Sequence, residues 1–108
     1  MTYKQTLHAL SDDTRRTLFE RIAREPASVG SLADEFPISQ PAVSQHLKVL
    51  RDARLVAVQR DGARRVYSID QEGLEALRTY VDRFWSGVLE AFVDTAASGL
   101  KNERKKNE

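Results

Sequence analysis

The strongest constraint on the fold is a change of hydrophobic period after Leu55. Up to that residue, apolar side chains recur every three or four positions, which is typical of amphipathic helices. Beyond it, Val56–Arg60 and Arg64–Ile69 alternate between apolar and polar residues around Asp61-Gly62-Ala63, a hairpin turn signal. After Ile69 the helical period returns. The chain is therefore expected to fold as helices, then one hairpin, then a last helix.

Capping residues and prolines set the expected helix ends. The predicted helices are Thr2–Ala9, residues 12–24, Val29–Phe36, Gln40–Ala53 and Gln71–Ser98. Ser11, Ser28 and Ser39 are the predicted N-caps of the second, third and fourth helices. Pro41 falls in the first turn of the fourth helix, where a missing N–H costs little. The expected fold class is mainly α with a small β-hairpin, the architecture of a winged helix-turn-helix.

Length and composition bound the class of protein. The 108 residues suit one domain, predicted to cover residues 1–100, with 101–108 as a flexible basic tail. The absence of cysteine excludes disulfides, thiol catalysis and thiolate metal ligands. We find neither a secretion signal nor a membrane-length apolar stretch, so the cytoplasm is the expected location. With no glycine-rich phosphate loop and no evident catalytic partner for His8 or His46, an enzyme is not expected.

Charge is distributed unevenly along the chain, although the net charge is only +1. Residues 39–66 carry six basic and two acidic side chains, whereas residues 67–100 carry two basic and six acidic ones. The middle segment is thus the part of the predicted domain with a positive field suited to phosphates. Scattered, solvated charge is the alternative interpretation of this pattern alone.

The fourth helix has two chemically distinct faces. Val43, Leu47 and Leu50 form an apolar stripe at positions i, i+4 and i+7. The opposite side carries amides, hydroxyls and cations, which read base edges or bind phosphates, and no acidic residue before Asp52. An ordinary solvated helix surface usually mixes glutamate with lysine. The DNA contacts predicted on this helix and its cap are Ser39, Gln40, Pro41, Ser44, Gln45, Lys48 and Arg51.

The hairpin adds a second basic surface. Arg60, Arg64 and Arg65 surround its tight turn, where three guanidiniums repel one another unless an anion meets them. Phosphates along the minor groove are the natural partner, so these residues are also predicted DNA contacts. Alternatively, Asp61 neutralises part of the cluster and solvent surrounds the rest.

The last helix carries two apolar strips where a single core face needs one. The first strip comprises Leu74, Leu77, Val81, Phe84, Val88 and Phe92, and the second Trp85, Leu89, Val93 and Ala96. A second copy of the chain is the preferred explanation. A larger intramolecular core or a ligand site lined by Trp and Phe are the alternatives. The predicted dimer interface is Tyr3, Leu7, Leu77, Val81, Phe84, Trp85, Val88, Leu89 and Phe92.

Four segments resemble the ArsR/SmtB-type family of bacterial winged-helix repressors. They are LSDDTRRTLFERIARE, SVGSLADEF, ISQPAVSQHLKVLRDARLV and VQRDGARRVYSI, and they span about residues 5–70, with Ser39–Leu47 the most specific part. The resemblance implies a fourth helix in the major groove, a hairpin at the minor groove and a dimer built by the terminal helices. It implies base reading by Gln40, Ser44, Gln45 and Lys48.

The chain departs from the metal-sensing members of that family. Their thiolate motif would fall at Ser28 and Gly30, which supply no thiolate. Residues 71–100 contain no histidine, so Asp82 and Glu90 lack imidazole partners, and RFWSGVLEAF resembles the branch without metal sites. No metal or cofactor is therefore expected, and any small-molecule effector is unknown.

The predicted function is a sequence-specific DNA-binding transcriptional regulator, a repressor that binds double-stranded DNA with an inverted-repeat operator as a homodimer. Two alternatives stay open. A ligand- or metal-responsive sensor on the same scaffold needs a pocket that the sequence does not show. A winged-helix protein-interaction module predicts acidic or apolar residues on the outer face of the fourth helix, where none occur.

Overall fold

The computed structural model describes the backbone of residues 2–107 and the side chains of residues 2–96. The elements in chain order are α1 Tyr3–Leu10, α2 Asp13–Arg24, β1 Ala27–Ser28, α3 Val29–Glu35, α4 Gln40–Asp52, β2 Val56–Asp61, β3 Arg64–Ile69 and α5 Gln71–Asn107. The predicted class, mainly α with a small β-hairpin, is confirmed. Contacts divide the chain into Met1–Leu77, which holds the core, and Arg78–Glu108, which continues α5.

Side chains cap the helices much as expected, with one correction. The Oγ atoms of Ser28 and Ser39 accept hydrogen bonds from backbone N–H groups in the first turns of α3 and α4. The predicted cap Ser11 is wrong, because its hydroxyl donates to the carbonyl of His8 at the end of α1. Asp12 caps α2 instead, accepting from the Arg15 N–H at 2.8 Å. That hydrogen bond lowers the pKa of the Asp12 carboxyl below its ordinary value, and the charge suits a helix N-terminus.

The core lies within residues 1–77 and joins the helices to the sheet. Its fully buried large side chains are Leu18, Ile22, Leu32, Val43, Leu47, Leu50, Leu55 and Val56. The apolar stripe predicted for α4 is therefore confirmed. In α3 only Leu32 is fully covered, whereas Val29 and the residue that follows the helix, Phe36, are half-buried. Because α4 is fixed by three fully buried side chains, its opposite face is held outward.

The sheet has three strands where the sequence predicted two. The two-residue strand β1 pairs antiparallel with β3, placing Ala27 opposite Tyr67, and the strand order is β1-β3-β2. A strand this short shows no alternation of its own, and Ser28 also serves as the α3 cap. The hairpin turn is closed by Gly62, whose φ of 64° lies in the left-handed region that favours glycine.

The start of α5 is held against the end of α4 by a close backbone approach. Arg54, with φ of 58°, ends α4 in a left-handed turn, and the N–H of Leu55 donates to the carbonyl of Leu50 at 2.9 Å. The carbonyl of Arg54 then accepts from the N–H of Gly73 at 2.7 Å. The buried Thr6 hydroxyl donates to the Gly73 carbonyl at 3.3 Å. Glycine is required here because of space rather than backbone conformation.

Gly73→Ala is expected to lower the free energy of unfolding by about 1–3 kcal/mol, since overpacking against rigid backbone forces a shift. A Cβ at this position would lie 2.5 Å from the Ala53 carbonyl oxygen and 2.6 Å from that of Arg54. Urea denaturation followed by circular dichroism measures the change. Gly30→Ala in α3 is the control, because its Cβ would meet nothing within 4 Å. Equal stability of the two variants would contradict the account.

Helix α5 runs to Asn107, so the predicted end near Ser98 is too early. Whether the basic tail is flexible stays a prediction. Among residues 78–96, whose side chains the structure describes, seven large apolar side chains are exposed: Val81, Phe84, Trp85, Val88, Leu89, Phe92 and Val93. Within the described part of the chain, no helix combines the length and apolar character needed to cross a membrane.

Candidate nucleic-acid interface

Helices α3 and α4 form a helix-turn-helix joined by residues 36–39. The N–H of Phe36 donates to the Leu32 carbonyl at 3.0 Å, and the N–H of Ile38 donates to the Phe36 carbonyl at 2.8 Å. Ser39 then caps α4 by accepting from the Ala42 N–H at 3.3 Å. The connection is thus short and locally hydrogen-bonded, and it fixes where α4 begins.

The outer face of α4 presents every residue that the sequence assigned to DNA on this helix. The exposed residues are Ser39, Gln40, Pro41, Ser44, Gln45, Lys48 and Arg51. Gln40, Ser44 and Lys48 follow one another at intervals of four and form a single ridge along the helix. Gln45 lies beside that ridge, four residues after Pro41. The helix therefore offers amide, hydroxyl and ammonium groups on one continuous exposed surface.

The cations predicted to meet DNA are free of partners within the described chain. Among residues 2–96, no side-chain hydrogen bond or ion pair engages Lys48, Arg51, Arg60, Arg64 or Arg65. Other arginine side chains form hydrogen bonds within the fold. The Arg21 guanidinium, for example, donates to both carboxylate oxygens of Glu35, at 2.7 and 3.0 Å. That hydrogen bonding lowers the pKa of Glu35 and raises that of Arg21. The cations of the candidate interface remain available to an outside anion.

The hairpin separates the three arginines that the sequence grouped together. Arg60 pairs with Arg65 across the strands, and Asp61 pairs with Arg64. Successive side chains point to opposite faces of a strand, so Arg60 and Arg65 share the face of the buried Tyr67 while Arg64 lies on the other. Like charges directly opposite each other are destabilising. A phosphate between Arg60 and Arg65 would relieve that repulsion.

Replacing Arg60 and Arg65 together by alanine is expected to reduce the log–log salt slope of DNA binding by about two units, since each phosphate contact contributes about 0.9. Arg64→Ala is expected to reduce the slope by about one unit, again on any sequence. Fluorescence anisotropy across a salt series measures both. Arg24→Ala, an exposed site on α2, is the matched control and should leave the slope unchanged. An unchanged slope in the hairpin variants would show that the hairpin does not contact DNA.

A contact missed by the sequence analysis ties α4 to the corner between α1 and α2. The Arg15 guanidinium donates to the carbonyls of Ala9 and His8 at 2.5 and 3.2 Å. Its Nη1 atom lies 3.5 Å from Nδ1 of His46, a half-buried residue of α4. No local sequence pattern predicts this contact, because Arg15 and His46 lie 31 positions apart.

Among the described side chains, residues 2–96, no group of three or more histidine, aspartate or glutamate residues is placed to hold a metal ion. Ser28 occupies the cap of α3, and Gly30 lies in its first turn. Asp82, considered as a ligand in the last helix, lies 3.8 Å from the Arg78 guanidinium as an i, i+4 ion pair.

Comparison with known proteins agrees with this geometry. Residues 10–59, from the end of α1 into β2, match the helix-turn-helix domain family. The chain is 56% identical over 84 residues to the HTH-type transcriptional regulator Rv2034 of Mycobacterium tuberculosis, covering 78% of each protein. It is 33% identical over 67 residues to the transcriptional repressor SdpR of Bacillus subtilis, covering 62% of this chain and 74% of that one.

Among solved structures, the chain is similar to an ArsR-like transcriptional regulator from Rhodococcus sp. RHA1. The TM-score is 0.74 at 28% sequence identity, and the match covers 87% of this chain and 92% of the other. The likeness therefore extends beyond the helix-turn-helix into the other elements of the fold.

Proposed function

Since the chain belongs to the ArsR/SmtB-type family of winged helix-turn-helix transcriptional regulators, we propose that it represses transcription by binding an inverted-repeat operator as a homodimer. One observation carries the proposal. The face of α4 opposite its buried stripe is exposed and consists of amide, hydroxyl and cationic groups without an acidic side chain before Asp52. Acidic or apolar groups on that face would have favoured a protein-interaction module.

In the proposed complex, α4 enters the major groove. Gln40, Ser44 and Gln45 contact base edges, where glutamine pairs with adenine and a hydroxyl serves several bases. Lys48 meets guanine or a phosphate. The free guanidiniums of Arg60 and Arg65 bind backbone phosphates beside the minor groove. In this arrangement α4 reads the base sequence, and the hairpin positions the protein on the DNA backbone.

The exposed apolar surface of α5 supports the proposed homodimer. At 100° per residue, the seven large side chains exposed between Val81 and Val93 fall within an arc of about 180°. Such an extended apolar surface is unusual on a monomer and typical of a protein interface. Leu7 of α1 is also exposed, at 44%, whereas Tyr3 and Leu77 are half-buried. The exposure of these α5 side chains argues against the alternative in which they fill an intramolecular core.

Selection from a pool of random DNA duplexes tests this function. We expect the enriched sequences to contain an inverted repeat whose half-sites are centred about one helical turn, roughly 34–36 Å, apart, as two symmetry-related α4 helices require. Failure to enrich any motif would overturn the proposal. Enrichment of direct repeats would instead overturn the two-fold arrangement.

Operator affinity is expected to be unaffected by Zn²⁺ or by a chelator. The chain contains no cysteine, and residues 71–100 contain no histidine. Competition binding with purified protein in either condition measures this. A tenfold shift, equivalent to about 1.4 kcal/mol of coupling, would reveal a metal site, with His8 and His46 the first residues to replace.

We propose that the protein acts in the cytoplasm and that it has no catalytic activity.

A further inference from the structure

A cleft separates α1 from the C-terminal half of α4. It has a volume of about 340 Å³. One wall is a face of α1 and the other a face of α4, so the lining residues are Lys4, Gln5, His8, Val49, Asp52 and Ala53. Volumes of about 300–1,000 Å³ are typical of small-molecule sites. None of its lining residues belongs to the candidate nucleic-acid interface or to the exposed apolar surface of α5.

The floor of the cleft is apolar and its rims carry opposite charges. Ala53 is buried and Val49 half-buried, so together they offer hydrocarbon to a ligand. The Lys4 ammonium lies on the α1 wall and the Asp52 carboxylate on the α4 wall, yet among the described residues neither forms an ion pair or a hydrogen bond. Two opposite charges that line one cleft without pairing leave room for a molecule that meets both.

We propose that this cleft binds a small apolar zwitterion of the size of an aromatic amino acid. The carboxylate of the ligand meets Lys4 and the imidazole of His8, its ammonium group meets Asp52, and its apolar body lies on Val49 and Ala53. A ligand with only one of these charges would leave the other rim unmet. The site is thereby selective for the pair of charges rather than for hydrophobicity alone.

Hydrogen bonds connect α1, which forms one wall of the cleft, to α4, which forms the other. The carbonyl of His8 accepts from the Arg15 guanidinium at 3.2 Å, and the same guanidinium reaches His46 of α4. Occupancy that moves α1 relative to α4 would therefore act on the helix that carries the base-reading side chains. An effector role for the site rests on the proposed function, whereas ligand binding itself does not.

Methyl NMR of the full-length chain tests the binding site in the absence of DNA. L-Tryptophan at millimolar concentration is expected to shift the methyl signals of Val49 and Ala53. Tryptamine, which lacks the carboxylate, and indole-3-propionate, which lacks the ammonium group, should each bind about two- to fivefold more weakly, as expected for one exposed charge contact. Equal binding of all three, or shifts confined to Val88 of α5, would overturn the proposal.

Charge-removing variants assign the two rims. Lys4→Met combined with His8→Ala should abolish the preference for tryptophan over tryptamine, and Asp52→Asn the preference over indole-3-propionate. Arg24→Met and Glu20→Gln, exposed on α2, are matched controls that should keep both preferences. Preferences that survive in the Lys4→Met, His8→Ala double variant and in Asp52→Asn would overturn the assignment. If tryptophan binds but operator affinity changes less than twofold at saturation, the effector role is overturned while the DNA-binding function stands.

Discussion

Replacing Phe84 by aspartate together with Val88 by lysine is expected to make the protein monomeric and to weaken operator binding by about 100-fold or more. Both side chains are exposed in the single chain, at 57% and 38%, so charge there meets water when the chain is alone. In the proposed dimer the same charges would be buried, and removing them from water costs more than their attraction across one helical turn returns. The affinity falls because one half-site is lost, and each base pair read contributes about 1–3 kcal/mol.

Sedimentation equilibrium measures the mass of this variant, and circular dichroism establishes that it is folded. Thr79→Asp with Ser86→Lys is the control, because it introduces the same two charges on the polar side of α5. The control should remain dimeric and bind the operator normally. A wild-type chain that is monomeric at micromolar concentration, yet binds a symmetric operator tightly, would contradict the dimer. So would a control that dissociates as readily as the Phe84 and Val88 variant.

Gln45→Ala is expected to cost about 1–3 kcal/mol on the selected operator, or roughly 5- to 150-fold in Kd, and to change binding to random DNA little. The side chain is exposed on the outer face of α4, so the substitution removes no core contact. A bidentate amide contact to a base discriminates among sequences, whereas a phosphate contact does not. Parallel titrations of operator and scrambled duplexes separate these contributions.

Gln71→Ala supplies the matched control for that loss. Gln71 is an exposed glutamine in the first turn of α5, outside the candidate interface. Its removal should leave both affinities unchanged. If Gln45→Ala weakened operator and scrambled DNA equally, Gln45 would be assigned to backbone positioning and the specificity sought at Gln40 and Ser44.

The helices and the paired strands of the hairpin could be predicted because their signals are local. The stripe of Val43, Leu47 and Leu50 determined both the buried and the exposed face of α4, since the 3.6-residue period links the two. The cap of α2 was misplaced by one residue because Ser11 and Asp12 are both good caps, and only the tertiary arrangement shows that Ser11 bonds to the end of α1.

The β2–β3 hairpin has a feature that local sequence signals could not predict. The cluster of arginines was evident from the sequence, but which of them share a face depends on strand register. The turn proved to be Gly62 and Ala63, with Asp61 paired in the ladder, and that register places Arg64 opposite Asp61. A difference of one residue at the turn thus decides which guanidiniums lie together. The Arg15–His46 contact and the close approach at Gly73 join segments distant in sequence, so no periodicity could reveal them.

A hydroxyl-radical footprint on a duplex that carries the selected sequence shows which DNA segments the protein covers. We expect two symmetric protected segments, their centres about 10–10.5 base pairs apart, because two α4 helices of one dimer enter successive major-groove faces. In Gln45→Ala the protection should weaken equally in both segments. A single protected segment, or uniform protection without sequence preference, would contradict recognition of DNA by a two-fold dimer through the outer face of α4.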